Sequence, residues 1–128
     1  MDEKERYDQG MAKRRKVLGH EWVDRANAKK TPFNAEFQEL ITRYAWGEVW
    51  TRPNYDERTR RVLVIGTMIA LGRWDEFRLH VRAALAEGGF SETDIKEIIM
   101  QQAIYCGVPA ANHAFKEAAE VIAELKKA

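Results

Sequence analysis

The sequence predicts an all-α fold, and three observations support this prediction. Apolar residues recur at helical spacing along most of the chain. No segment alternates cleanly between apolar and polar residues, and no Asn-Gly or Asp-Gly hairpin turn occurs. The three prolines, at positions 32, 53 and 109, each stand at a boundary between predicted elements. Because 128 residues is the length of one ordinary domain, we expect a single domain over residues 1–128, built as a bundle of about six helices.

The first half of the chain is predicted to hold two helices and a short, broken segment. The first helix covers about residues 4–18 and ends at a glycine. The second runs from about residue 34 to residue 44 or 45, behind the start signal of a Thr-Pro pair. Residues 46–55 are predicted to form a short helix and then a loop, because Pro53 interrupts them.

The second half is predicted to hold four helices with clear boundaries. The third helix starts after residue 56 and ends at Gly72, and the fourth covers about residues 74–87. Ser91 opens the fifth with a capping-box pattern, and Pro109 opens the sixth as a first-turn proline. The residues expected to face inward are Val62, Leu63, Ile65, Met68, Ile69, Phe77, Val81, Ala84, Leu85, Ile95, Ile98, Ile99, Ile104, Phe115, Ala118, Ala119 and Ile122.

Composition and charge exclude several classes of function. A net charge of +1 argues against a nucleic-acid or anionic-membrane partner, because both require a strong basic excess. The single cysteine, Cys106, has no second cysteine with which to form a disulfide, so we expect a reducing, cytoplasmic compartment. The N-terminus is charged and lacks the apolar region of a signal peptide. The longest apolar run, residues 62–71, has half the length of a membrane span.

Residues 43–53, with the sequence RYAWGEVWTRP, are the most informative segment of the chain. Two tryptophans, a tyrosine, a carboxylate and two guanidiniums surround one glycine, as a pocket for a small, multiply charged organic acid would require. Glu48 stands between the tryptophans, where desolvation would raise its affinity for protons. The alternative is an ion pair of Glu48 with Arg43 or Arg52. The aromatic residues expected to wall the pocket, with ordinary packing as the alternative, are Tyr44, Trp46, Trp50 and Tyr105.

His80 is the second candidate centre. It lies at the edge of the apolar stripe of the fourth helix, one turn from Glu76, so the two side chains can meet at i, i+4. A carboxylate that accepts a ring N–H fixes the tautomer and leaves the other nitrogen as a usable acid or base. The alternative is a half-buried structural histidine. Arg78 is close in sequence and carries a guanidinium that can bind a carboxylate through two hydrogen bonds.

Other motifs of catalysis or metal binding are missing from the sequence. There is no HxxxH, no HExxH and no cluster of Asp, Glu and His at ligand spacing, so no metal site is predicted. No Walker loop, GxGxxG or Ser or Cys nucleophile motif occurs either. His20 and His113 have no partner pattern and are expected at the surface.

Several long blocks, in the same order, resemble the 4-carboxymuconolactone decarboxylases of aromatic-acid breakdown, which are part of a superfamily with alkylhydroperoxidase-D-like proteins. The resemblance covers nearly the whole chain. The blocks that carry it are residues 5–8, 32–44, 46–53, 71–73, 77–84 and 105–111.

The resemblance implies an alkylhydroperoxidase-D-like helical fold that assembles into a ring-like homo-oligomer, often a hexamer. It implies decarboxylation of 4-carboxymuconolactone to 3-oxoadipate enol-lactone in the protocatechuate branch of the β-ketoadipate pathway. The lactone of this small dicarboxylate substrate is its own electron sink, so no cofactor and no metal is implied. The thiol peroxidase chemistry of the superfamily is excluded, because its two cysteine positions hold Arg73 and Glu76 here. The upstream acid of the superfamily falls at about Arg61, so its proton relay is not implied either.

For this reaction we expect His80, oriented by Glu76, to stabilise the enolate or to protonate the carbon. Arg52, with Arg43 or Arg78, would hold the carboxylate that stays on the product. The leaving carboxylate would lie against Glu48 and the aromatic rings, and Glu48 could instead be the proton donor.

Two alternatives remain open from the sequence. One is a cofactor-free enzyme of the same superfamily that acts on another lactone or keto acid. The other is a non-catalytic helical binding module, in which residues 43–53 form an interface between subunits.

Overall fold

The computed structural model describes residues 1–127, and every regular element in that range is a helix, which confirms the all-α prediction. Seven α-helices and one π-helix follow one another along the described chain. Their bounds are α1 Glu3–Leu18, α2 His20–Ala28, α3 Ala35–Ile41, the π-helix Thr42–Val49, α4 Glu57–Leu71, α5 Trp74–Ala86, α6 Glu92–Cys106 and α7 Val108–Lys127.

The helices form two compact units, which we call the N-terminal unit, Met1–Glu57, and the C-terminal unit, from Arg58 onward. α1, α2, α3 and the π-helix belong to the first, and α5, α6 and α7 belong to the second, together with nearly all of α4. One domain over residues 1–128 stays a prediction. Among residues 1–127 no helix combines the length and the apolar character that crossing a membrane requires.

α1 begins and ends as the sequence predicts, but the helix that follows it was not predicted. The Asp2 side chain caps α1 by accepting a hydrogen bond from the backbone N–H of Glu5 at 2.8 Å. Gly19 closes α1 with a φ of 92° and directly begins α2. The sequence carries no start signal for α2, because this helix is only nine residues long and no side chain caps its first turn.

The N-terminal unit is held together by a close approach between α1 and the π-helix. A Cβ on Gly10 would lie 1.9 Å from the carbonyl oxygen of Thr42, and a Cβ on Gly47 would lie 2.4 Å from the carbonyl oxygen of Arg6. Both positions therefore need glycine, and the two backbones touch at these points. The sequence predicts an ordinary helix to residue 44 or 45, whereas the chain continues without a break from α3 into the wider π-helix.

The C-terminal unit has a core of aliphatic residues and two phenylalanines, drawn mainly from its four helices. Ile65 and Ile69 of α4, Phe77 and Val81 of α5, and Ile95 and Ile99 of α6 are almost fully buried, as the sequence predicts. The capping box at Ser91 is present, and Gly107, with a φ of 99°, ends α6. α7 begins at Val108, one residue before the predicted proline start.

The predicted inner faces need correction at two helices and at the end of a third. α7 buries Ala111, Ala114, Ala118 and Val121 instead of a face centred on Phe115, because small side chains let it pack closely against its neighbours. The residues that were expected inward and are exposed are Val62, Leu63, Ile104, Phe115 and Ala119.

Candidate functional site

The π-helix carries most of the site candidates of the N-terminal unit. π-helical turns are rare in proteins and frequently occur at functional sites. Trp46 is 7% exposed and stacks on Trp50, with ring centroids 4.9 Å apart.

Glu48 lies between two guanidiniums. Arg6 donates from Nη1 to Glu48 Oε2 at 2.6 Å, and Arg52 donates from Nη1 to Glu48 Oε1 at 3.4 Å. The Glu48 side chain is 46% exposed, so the tryptophans do not enclose it as desolvation would require. The ion-pair alternative with Arg52 is the one that the structure shows, and Arg6 was missed because it lies 42 residues away in sequence.

Glu3 organises the other polar residues of the same unit. The hydroxyl of Tyr44 donates to Glu3 Oε2 at 2.7 Å, and Nε of Arg43 lies 3.3 Å from the same oxygen. This hydrogen bond from Tyr44 lowers the pKa of Glu3 and raises the pKa of Tyr44. Arg43 therefore pairs with Glu3, and the structure records no pair with Glu48 for it.

Positive charge exceeds negative charge in this group. Three guanidiniums, those of Arg6, Arg43 and Arg52, pair with two carboxylates, those of Glu3 and Glu48. The Arg6 and Arg43 guanidiniums also lie 5.4 and 5.9 Å from the centroid of the Tyr44 ring. An anionic ligand can be attracted to such a group by the uncompensated charge.

His80 is the centre of the second group, in the C-terminal unit. Its residue is 8% exposed, and burial, followed by the positive charge of Arg61, lowers its pKa to about 4. The imidazole is therefore neutral at pH 7 and presents both an N–H donor and a nitrogen acceptor. Arg61 is 1% exposed and supplies a permanent charge beside His80, a contact that the sequence did not predict.

Glu76 is exposed and lines a shallow recess together with Arg73 and Trp74. The orientation of His80 by Glu76 stays a prediction. The charged neighbour that acts on His80 most clearly is Arg61, on a different helix.

Arg78 is engaged with three carboxylates of α7. Its guanidinium lies 2.5 Å from Glu117, 2.8 Å from Glu124 and 3.4 Å from Glu120. Arg82 of the next turn also pairs with Glu124. Because a substrate carboxylate would have to compete with these groups, the geometry gives Arg78 a role in joining α5 to α7.

Two further residues of the C-terminal unit depart from or extend the sequence predictions. His113 is exposed, as predicted, but it has partners that the sequence did not indicate: its ring stacks on Trp74 at 4.2 Å and its Nε2 lies 3.2 Å from Glu117. Tyr105 is 79% exposed near the end of α6, so it walls no pocket within this unit.

The C-terminal unit also contains a cavity of about 570 Å³ between α4 and α6. Arg58 lies at its rim, pairs with Asp94 at 2.9 Å and covers the ring of Phe90 at 4.4 Å. None of the residues predicted for the site lines this cavity. Within residues 1–127, no group of three or more His, Cys, Asp or Glu side chains is arranged to hold a metal ion.

Comparison with known proteins gives a consistent result. Residues 35–120 match the model of the carboxymuconolactone decarboxylase family. A 4-carboxymuconolactone decarboxylase of Acinetobacter baylyi is 42% identical over 125 residues, which are 98% of this chain and 92% of that protein. A nitrosuccinic acid decarboxylase of Metarhizium robertsii is 42% identical over 104 residues, which are 81% of this chain and 72% of that protein. A 4-carboxymuconolactone decarboxylase sequence of Pseudomonas putida is 60% identical over 48 residues, which are 38% of this chain and 100% of that sequence.

Proposed function

This chain belongs to the carboxymuconolactone decarboxylase family, and we propose that it converts 4-carboxymuconolactone to 3-oxoadipate enol-lactone and CO₂. The observation that carries the proposal is the 42% identity over 98% of the chain to a decarboxylase of that name. The excess of guanidinium groups around Glu48 supports it, because the substrate is a dianion.

The reaction requires little covalent chemistry from the protein. The leaving carboxylate is on the carbon γ to the lactone carbonyl, across a C=C bond. When its C–C bond breaks, CO₂ departs and the electron pair passes into the conjugated lactone as a dienolate. A proton then adds at the α carbon. The protein must orient the dianion, stabilise the enolate oxygen and deliver this proton.

His80 is proposed to stabilise the enolate. Because its pKa is lowered to about 4, it is neutral near pH 7, and its N–H can donate a hydrogen bond to the enolate oxygen. A neutral imidazole is a poor source of the proton for carbon. Of the two roles that the sequence leaves open for His80, its neutral state favours that of enolate partner. Glu48, which pairs with two guanidiniums, is proposed to lie against the leaving carboxylate.

Arg52 and Arg43 are proposed to hold the carboxylate that stays on the product. Arg52 is the more accessible of the two, with a side chain that is 61% exposed against 26% for Arg43. Arg78 is less suited to holding this carboxylate than the sequence predicted, because three carboxylates of α7 already contact its guanidinium.

We also propose that the protein is a cytoplasmic homohexamer. It would act on a small-molecule substrate in the protocatechuate branch of the β-ketoadipate pathway, without a nucleic-acid partner. Exposed apolar side chains support self-association, because an interface between subunits would remove this apolar surface from water. Ile104, Tyr105 and Val108 are 79%, 79% and 64% exposed. Sedimentation equilibrium measures the subunit count directly.

Nitrosuccinate is a second candidate substrate, because the relative of that name is also 42% identical. It shares two features with the lactone: two carboxylates and an electron sink. Loss of the carboxylate next to the nitro group would place the electron pair on that group as a nitronate. The same protein residues could serve either anion.

The test is CO₂ release by the purified protein from 4-carboxymuconolactone and from nitrosuccinate, with the products identified by NMR. We expect formation of 3-oxoadipate enol-lactone, with kcat/KM for the lactone exceeding that for nitrosuccinate. Turnover of nitrosuccinate alone would assign the second substrate. A folded protein that releases CO₂ from neither acid would contradict the proposed function.

A further inference from the structure

We propose that Arg6 of α1 is a positioning residue for Glu48, an inference that rests on the proposed function. Arg6 Nη1 donates to Glu48 Oε2 at 2.6 Å. The Arg6 side chain is 19% exposed and that of Glu48 is 46% exposed, so the arginine is the more enclosed partner. A short, charge-assisted hydrogen bond from an enclosed group fixes the direction of the carboxylate it holds.

The backbone fixes the distance between the two side chains. Gly47 directly precedes Glu48, and a Cβ at Gly47 would lie 2.4 Å from the carbonyl oxygen of Arg6. The main chains of α1 and the π-helix are therefore in contact close to the positions from which the Arg6 and Glu48 side chains project. A contact of this kind allows little adjustment, which suits a residue whose function is to orient another.

Arg6 is itself held by two further contacts. Its Nε lies 3.3 Å from Glu3 Oε1, and its guanidinium lies 5.4 Å from the centroid of the Tyr44 ring. The planar guanidinium meets two carboxylates and an aromatic ring at once, which the single ammonium of a lysine cannot reproduce. α1 thus contributes to the arrangement of the π-helix residues beyond packing.

The geometry also distinguishes the two oxygens of Glu48. Oε2 accepts the short hydrogen bond from Arg6, 2.6 Å long. Oε1 has the longer contact, 3.4 Å to Arg52. By holding Oε2, Arg6 sets the direction in which Oε1 points.

A double-mutant cycle tests this role by kcat and KM for CO₂ release from 4-carboxymuconolactone. We expect Glu48→Gln to lower kcat about 100-fold, because the negative charge placed against the leaving carboxylate is lost. Arg6→Gln should lower kcat about tenfold, because Glu48 remains but is misdirected. It should also raise KM a few fold, because one of the three guanidiniums that attract the dianion is lost. In the double variant, kcat should equal that of Glu48→Gln alone, since Arg6 acts through Glu48. Arg6→Lys should lie between wild type and Arg6→Gln.

Arg25→Gln is the matched control. It breaks an exposed ion pair with Glu21, 2.9 Å long, in the same unit, and should leave kcat unchanged. If the losses of Arg6→Gln and Glu48→Gln multiply in the double variant, or if Arg6→Gln stays within twofold of wild type, the inference is overturned. If Arg6→Gln does not fold, the cycle built on Arg6→Lys decides in the same way. Failure of the proposed function is a separate result, because it appears as inactivity of the wild type.

Discussion

At the scale of single residues, the buried pair of His80 and Arg61 determines the chemistry that the C-terminal unit can offer. Both residues are less than a tenth exposed. Burial in a medium of low dielectric constant disfavours a second positive charge beside Arg61, so the imidazole stays neutral. A neutral hydrogen-bond donor beside a fixed positive charge is a suitable environment for an oxyanion.

Protonation of His80 should couple the stability of the fold to pH. Its pKa is about 4 in the folded chain against an ordinary value of 6.5, so the unfolded chain binds more protons between these values. Stability is therefore full above pH 6.5 and falls as the pH falls toward 4, by about 3 kcal/mol in total. Urea unfolding at several pH values, on wild type and on His80→Gln, measures this difference.

The control for that experiment is His20→Gln, which removes an exposed histidine and should keep the wild-type pH dependence. His80→Gln should lose about 3 kcal/mol less than wild type between pH 6.5 and pH 4. Equal losses in wild type and His80→Gln would show that folding does not lower the pKa of His80.

The sequence indicated which residues to examine but could not assign their partners. His80 and Glu48 were selected from local pattern, which is visible within one helical turn. Arg6, in contrast, contacts Glu48 across 42 positions, and Arg61 acts on His80 from another helix. Such pairs depend on tertiary packing, and a single sequence holds no signal for them beyond the resemblance at residues 5–8.

At the scale of elements, the boundaries of the helices were easier to predict from the sequence than the face of each helix that is buried. α1, α5 and α6 begin and end close to their predicted limits because glycines and caps mark their ends. The buried face of α7 differs because alanines, which are only weakly hydrophobic, occupy the closest contact. α2 was missed because no cap residue marks its start.

Contact between α1 and the π-helix should make the glycine at position 10 essential for stability. In Gly10→Ala the new Cβ would meet the carbonyl oxygen of Thr42 at 1.9 Å, and a backbone atom cannot move aside cheaply. We expect a loss of about 1–3 kcal/mol, even though alanine favours the helix. Chemical denaturation of the variant measures it.

Gly66→Ala is the matched control, because it makes the same substitution inside α4. There the nearest atom is the side-chain Nε2 of Gln102 at 3.2 Å, which donates a hydrogen bond to the Gly66 carbonyl at 3.1 Å and has to shift by only a few tenths of an ångström. This variant should keep wild-type stability or gain up to about 1 kcal/mol. A Gly10→Ala protein as stable as wild type would show that α1 and the π-helix are not in backbone contact.

At the scale of the whole molecule, the candidate residues divide between the two units according to chemistry. The N-terminal unit offers cationic groups, a carboxylate and stacked tryptophans, which are suited to binding and orienting a dianion. The C-terminal unit offers a buried neutral imidazole and a buried guanidinium, which are suited to stabilising an oxyanion. Variants in the two units should therefore affect different kinetic constants.

The most direct measurement of this account is kcat and KM of His80→Gln on 4-carboxymuconolactone, beside wild type and Arg52→Gln. Loss of an interaction made only in the transition state should lower kcat of His80→Gln by about 100-fold or more and leave KM within a few fold. Loss of the carboxylate ligand in Arg52→Gln should instead raise KM. A folded His80→Gln protein with the kcat of wild type would remove His80 from the mechanism and contradict the account.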